Sequence, residues 1–452
     1  MKNLPLKPLA ALLLVLITGL GASGQSGSLP AHTSKPAAAE GQIQPPPPQP
    51  PAVYTLTPER RAQAIAYSRS LYILYFVGTL VAMAIYLLLW QTGLSVRFRN
   101  WACQASRRTL VQCLIFVPLI ATSASLLNLP LHFYSGYVVE HRYGLSTQSL
   151  TSWFGDWAKN LAVLAVLGVV VVWFFYSAVR CSPRRWWFHF WLVSLPLVLA
   201  FILIEPYAID PLFQRFTPLQ KTHPELVVKI EAMLHHAGLT IPPGRIFEMD
   251  ASRRTRAVNA YVTGLGASKR VVVWDTTIEK MTPDELLLVL GHELGHYVLE
   301  HIPKEFVLDE GVALVFFFLG FFAVKWIVRR AGPRYGIAEV GDLATLPLLL
   351  VVLTLLLVLS DPIVSGISRH YEHQADQFGL EVAYGVVPDP NAAEVRALQI
   401  LGEEDLEDPD PNQFIRFWLY THPPLDERIR FAATYKPWAE GKPVQLLPPK
   451  RD

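Results

Sequence analysis

His292, Glu293 and His296, in the stretch LLLVLGHELGHYVLEH, are the residue types that bind a divalent metal and move a proton. On a helix, side chains four residues apart point to the same side. The two imidazoles can then take two corners of a zinc tetrahedron, while Glu293, about 100° round the helix, can meet a metal-bound water. Zinc would lower the pKa of that water toward ~7 and polarise a carbonyl, and the glutamate would carry the proton to a leaving amine. That chemistry is peptide hydrolysis. In a chain with 13 histidines the five-residue pattern arises by chance on the order of a few times in a hundred, so a third ligand has to be found.

The stretch SGISRHYEHQADQFGL supplies candidates. Glu372 and Asp376 share a helical face, so the first can bind metal while the second orients a ligating histidine. A solvated acidic face is the plainer alternative, but it does not explain why this segment starts directly after an apolar span. His370 and His373 compete as ligands. Glu372 is favoured because two histidines and a carboxylate form a common catalytic zinc set that leaves one position open.

The elements that position these residues are legible around them. Thr282, Pro283 and Glu285 have the pattern of a capping box with proline at the first helical position, which predicts a helix start just before the motif. Pro303 marks its expected end. The chain of 452 residues is 52% hydrophobic and 17% charged, with a mean hydropathy of +0.30, which requires a membrane as solvent. Six apolar runs are each near or above the ~18 residues a span needs. They cover residues 71–90, 110–131, 160–179, 186–205, 311–328 and 343–360. Residues 206–308 differ: PELVVKIEAMLHHAGL has helical periodicity, and VNAYVTGLGASKRVVVWDT reads as two short strands around a turn. A net charge of +2 without a basic aromatic stripe gives no sign of a nucleic-acid partner, and three cysteines at no ligand spacing support neither a disulfide framework nor a metal site.

The N-terminus has a positive tip, an apolar stretch and the small residues GASGQ, the pattern of a signal peptide or short anchor over 1–24. Residues 25–59 are expected to be a disordered proline-rich tether. The remaining divisions are a four-span membrane domain over 60–205, a catalytic domain over 206–308, two further spans over 309–361, and the rest of the catalytic part over 362–452.

GHELGH, SRHYEHQAD, NAYVTGLGASKRVVVWDT and THPPLDERI together resemble the type 1 CAAX prenyl protease family of integral-membrane zinc metallopeptidases. The resemblance extends back through FYSGYVVEHRYGLSTQS and DPLFQRFTPL, and covers roughly residues 60 to 435. It implies an α-helical multi-pass membrane protein with an inserted zincin-like α+β metallopeptidase domain, and one Zn2+ held by His292, His296 and Glu372. It further implies Glu293 as general base, Asp376 as an auxiliary acid, and Asn259 holding substrate backbone beside RVVVWDT. His422 would stabilise the tetrahedral intermediate, with Arg428 in a supporting role. Val258 departs from the small polar residue or histidine expected before the asparagine. In this family membrane helices wall a chamber that protein or peptide substrates enter. The other function class is a membrane quality-control or binding factor that keeps zinc mainly as structure.

Short loops after the first, third and fifth runs carry Arg97, Arg99, Arg107, Arg108, Arg180, Arg184, Arg185, Arg329, Arg330 and Arg334, ten cations against Arg142 and Lys159 in the short loop opposite. The positive-inside rule places the ten in the cytoplasm and the zinc domain outside, as in a bacterial inner-membrane enzyme facing the periplasm. Eukaryotic members, by resemblance, face the cytosol.

Overall fold

The computed structural model describes residues 53–264 and 268–447. The expected signal segment and most of the tether lie outside the described residues. The last tether residues are packed: Tyr54 is buried against the helix that carries Gly402, and Thr57 caps the first helix.

Six helical stretches among the described residues are long and apolar enough to cross a membrane, and each contains one of the six runs. They include α1 (Pro58–Gln91), α2 (Thr109–Phe133), α3 (Leu150–Cys181), α4 (Trp186–Ile204), α7 (His301–Ala331) and α8 (Leu346–Ala383). Their shared core holds Tyr86, Leu89, Phe116, Val172, Tyr176 and Phe190. Leu80, Leu114, Val166, Phe322 and Leu359 remain outside on the faces a bilayer would cover. Between α1, α2, α3 and α8 lies an opening of roughly 670 Å³, lined by Ile85, Tyr86, Ile120, Asn128, Leu164 and Leu350.

A second core, with Leu226, Ile230, Ile246, Val271, Leu286 and Phe378, belongs to an α/β layer. Its helices are α5 (Pro224–His236), α6 (Pro283–Val298), α9 (Pro390–Asp405), α10 (Gln413–Leu419) and α11 (Leu425–Thr434). The sheet runs β1 (Phe216–Pro218), β2 (Ile246–Met249), β4 (Arg270–Trp274), β3 (Ala260–Thr263). The expected hairpin is β3–β4, antiparallel with Ala260 opposite Val273. RVVVW is an inner strand, paired with β2 in parallel on its other side, so β3 is the edge.

Helix α6 starts as its sequence predicts, with Thr282 and Glu285 bonding each other's backbone N–H. Its end differs. The helix stops at Val298, Glu300 takes a left-handed conformation at φ 58°, and α7 begins at His301. Pro303 sits in the first turn of α7, where its missing N–H costs no helical hydrogen bond. Both α7 and α8 run unbroken from apolar span into the α/β layer, past the divisions expected near residues 308 and 361.

Helices α6 and α8 approach closely through small residues. A Cβ added to Gly291 would lie 3.1 Å from Gly379 Cα, and one added to Gly295 would lie 3.0 Å from Ala375 Cα. A Cβ on Gly379 would meet His292 N at 3.0 Å. These neighbours are backbone atoms and cannot swing aside. Gly379→Ala is therefore expected to destabilise the protein by about 1–3 kcal/mol, an overpacking cost. Gly311→Ala, in open space on α7, should be neutral or slightly stabilising. Thermal unfolding of the two variants in detergent checks the contrast; equal midpoints would disprove the packing account.

Candidate metal centre

Three separate stretches of chain meet where α6 and α8 touch. Helix α6 brings His292, Glu293 and His296, α8 brings Glu372 and Asp376, and the segment from Tyr420 into α11 brings His422 and Arg428. The two histidines are four positions apart on α6, so their rings face α8 together, with Nε2 atoms 3.2 Å apart. Glu372 Oε2 lies 3.1 Å from His292 Nε2, 3.6 Å from His296 Nε2 and 3.0 Å from His422 Nε2. His370 is exposed at a different opening, and His373 packs against Phe431 with ring centroids 4.5 Å apart, so neither rival ligand joins the cluster.

Asp376 backs the first histidine. Its Oδ1 accepts from His292 Nδ1 at 2.8 Å, which leaves the Nε2 lone pair pointing into the cluster. Arg428 in turn holds Asp376 with two bonds, Nε to Oδ2 at 2.9 Å and Nη2 to Oδ1 at 2.6 Å. Burial works against charge on this arginine, but Asp376 outweighs it and keeps Arg428 cationic. Sequence reasoning missed Glu394 on α9, which has no motif to mark it. Burial and the charge of Asp376 push its carboxyl up to about 7.

The donor set suits a divalent ion such as zinc. Bonds of ~2.0–2.1 Å in a tetrahedron put ligand atoms ~3.3 Å apart, and the three separations among His292, His296 and Glu372 run from 3.1 to 3.6 Å. Burial opposes charge on His292, yet Asp376 and Glu372 beside it prevail and push its pKa up to about 10. The site thus calls for positive charge, which a metal supplies without a proton.

A cavity of about 910 Å³ opens in front of this cluster, lined by Asn259, His292, Glu293, Glu394, His422 and Arg428. Glu293 is pushed up by burial, against the pull of His292 and His296. Asn259 directly precedes the edge strand β3. Its backbone is pinned by Trp274 N, 3.1 Å from its carbonyl oxygen, and by Thr277 Oγ1 at 2.7 Å from both its N and O. His292, Glu293, His296, Glu372, Asp376, Asn259, His422 and Arg428 therefore lie in this cluster, beside it or on the wall of this cavity, whereas His370 and His373 do not.

Comparison with known proteins identifies the family of the chain. Residues 219–436 match Peptidase family M48, and residues 41–215 match the family of the CAAX prenyl protease N-terminal part, described as five membrane helices. Four of the long apolar helices fall within the described residues of that second range. The chain is 32% identical over 381 residues to the Bacillus subtilis metalloprotease YhfN, covering 83% of this chain and 86% of that one. It is 29% identical over 337 residues to the CAAX prenyl protease 1 of Saccharomyces cerevisiae, covering 71% and 72%. The crystal structure of S. mikatae Ste24p superposes with a TM-score of 0.70 at 26% identity, over 82% of this chain and 88% of that one. With its helical membrane body, its small sheet and a metal-competent cluster between them, the chain belongs to peptidase family M48, as an integral-membrane metallopeptidase of the CAAX prenyl protease type.

Proposed function

We propose that the protein is a zinc endopeptidase in which His292, His296 and Glu372 hold the metal and Glu293 is the general base. The observation that carries this is the convergence of imidazole nitrogens on Glu372 Oε2 at the wall of a cavity that also presents Glu293 and Asn259. When bound, zinc supplies Lewis acidity toward water and the scissile carbonyl. Glu293 accepts a proton from the attacking water on a carboxylate oxygen as the C–O bond forms, and then gives it to the leaving nitrogen as the C–N bond breaks. His422 Nε2–H donates to the carbonyl oxygen as charge grows there. Asp376 and Arg428 hold His292 in the required tautomer.

The substrate would lie extended along β3, whose outer edge pairs with no other strand among the described residues, with the Asn259 amide bridging donor and acceptor of the added backbone. In this reading, chains reach the site through a chamber among the membrane helices. The proposed substrates are proteins or peptides in general.

Glu293→Gln should lower peptide cleavage by roughly 10²–10⁴-fold while metal content stays near that of the native protein, because the residue moves protons and is not a ligand. Retained turnover would refute the mechanism. Metal analysis decides the ligand set: Glu372→Ala is expected to lose zinc, while His370→Ala, His373→Ala and His422→Ala keep it. Stoichiometric zinc in Glu372→Ala would pass the role to His422.

We further propose that the site faces the periplasm of a bacterial inner membrane. The three arginine-bearing loops meet at one end of the bundle, where Arg99 pairs with Asp342 and Arg180 Nη1 donates to Thr109 Oγ1 at 2.6 Å. That clustered positive end belongs in the cytoplasm, and the metal cluster is at the other end. Alkaline phosphatase fused after Gln220 should be active and GFP at the same point dark. The reverse pattern would invert the topology.

A further inference from the structure

His292 has an evident partner on its outer nitrogen, and His296 needs one too. A ligating imidazole must present a lone pair to the metal, so its other nitrogen must carry the proton and donate it. The atom next to His296 Nδ1 is His301 Nδ1, at 3.2 Å. His301 is fully buried, stacks on Tyr371 with ring centroids 4.6 Å apart, and places its Nε2 3.1 Å from Gln374 Oε1.

The proton positions in this chain follow from one acceptor. Gln374 Oε1 has only lone pairs, so His301 Nε2 carries the hydrogen and donates it. In a neutral imidazole the other nitrogen, Nδ1, then has the lone pair. His296 Nδ1 must be the donor in the contact between the two rings, and His296 Nε2 is left with its lone pair facing His292 and Glu372. The reverse assignment would put a proton on His296 Nε2, inside the cluster.

Building on the metal ligands proposed above, we infer that His301, held by Gln374, is the positioning residue that fixes the tautomer and ring orientation of His296. It does for the second ligand, without a charge, what Asp376 does for the first. The break at Glu300 makes this possible. On an unbroken helix, a residue five positions after His296 would lie about 140° round from it. The left-handed turn at Glu300 restarts the chain and brings His301 behind His296.

Three variants of the full-length protein test this by zinc affinity, measured in detergent against a chromogenic chelator. His301→Phe keeps a ring for Tyr371 and removes both nitrogens. Gln374→Met removes the acceptor at the far end of the chain and leaves His301 in place. Both should bind zinc about 10–100-fold more weakly than the native protein, the usual cost of losing such a partner. His301→Asn, whose side-chain oxygen falls near the position of Nδ1, should restore affinity to within about threefold of native, because it can still accept from His296. Native affinity in both His301→Phe and Gln374→Met would overturn the inference. So would an equal loss in His301→Phe and His301→Asn, since that would make packing the cause. A native protein that binds no zinc would instead refute the metal reading on which this rests.

Discussion

The site depends on how closely two helices approach. Glu372 can reach the imidazoles of α6 only if the helix backbones nearly touch, and Gly291, Gly295 and Gly379 remove the side chains that would hold them apart. Spacing the two α6 glycines four apart puts them on one face, and each lies one residue before a histidine. The same helical turn therefore serves packing and chemistry. The glycines lower helix propensity by about 1 kcal/mol each, a cost that burial of neighbours such as Leu290, Leu294 and Phe378 offsets.

Bringing acidic and basic groups into that contact adds a second constraint. Asp376 and Glu372 are buried at 3% and 7% exposure, and an unpaired charge in such a position is strongly destabilising. Arg428 answers one of them with a bidentate pair, at the price of being buried itself. Among the described residues, the ion-pair partners of the other carboxylate, Glu372, are imidazoles. With the proposed metal bound there, folding of the cluster and its occupancy would be linked.

How much of this could be read in the sequence varied with the range of the interactions. Helix α6 was legible because its signals are local: a capping box, an N1 proline and two histidines at helical spacing. The apolar spans were legible because lipid demands long uninterrupted runs. Strands β1 and β2 were not, since runs of three and four residues carry no period and β2 is set by parallel pairing with a strand far along the chain. Glu372 was favoured over His370 and His373 on the chemistry of the ligand set alone, because all three sit within two turns and the glycine contact that selects the face meeting α6 is not local. His301 was hidden for a different reason. Its distance from His296 is wrong for one helix, and nothing in YVLEHIP announces a left-handed glutamate before the proline.

The position of the site relative to the bilayer follows from helix length. At 1.5 Å per residue, the 38 residues of α8 span about 57 Å, while hydrocarbon accounts for about 30 Å. The apolar part lies at the start of the helix, so Glu372, twelve residues past Ser360, projects about 18 Å beyond the run that ends there. Helix α7 arrives from the same side in the opposite direction, with His301 at its outer end. Helix α8 therefore carries Glu372, and α7 carries His301, beyond the apolar runs. A third contact braces the assembly: Tyr72 on α1 shares a 3.0 Å hydrogen bond with Tyr420, two residues before His422. The cluster faces the cavity that also presents Asn259 and Glu293, and spans from both halves of the chain lead to it. A substrate strand laid along β3 would then meet the cluster at a set distance from the membrane surface.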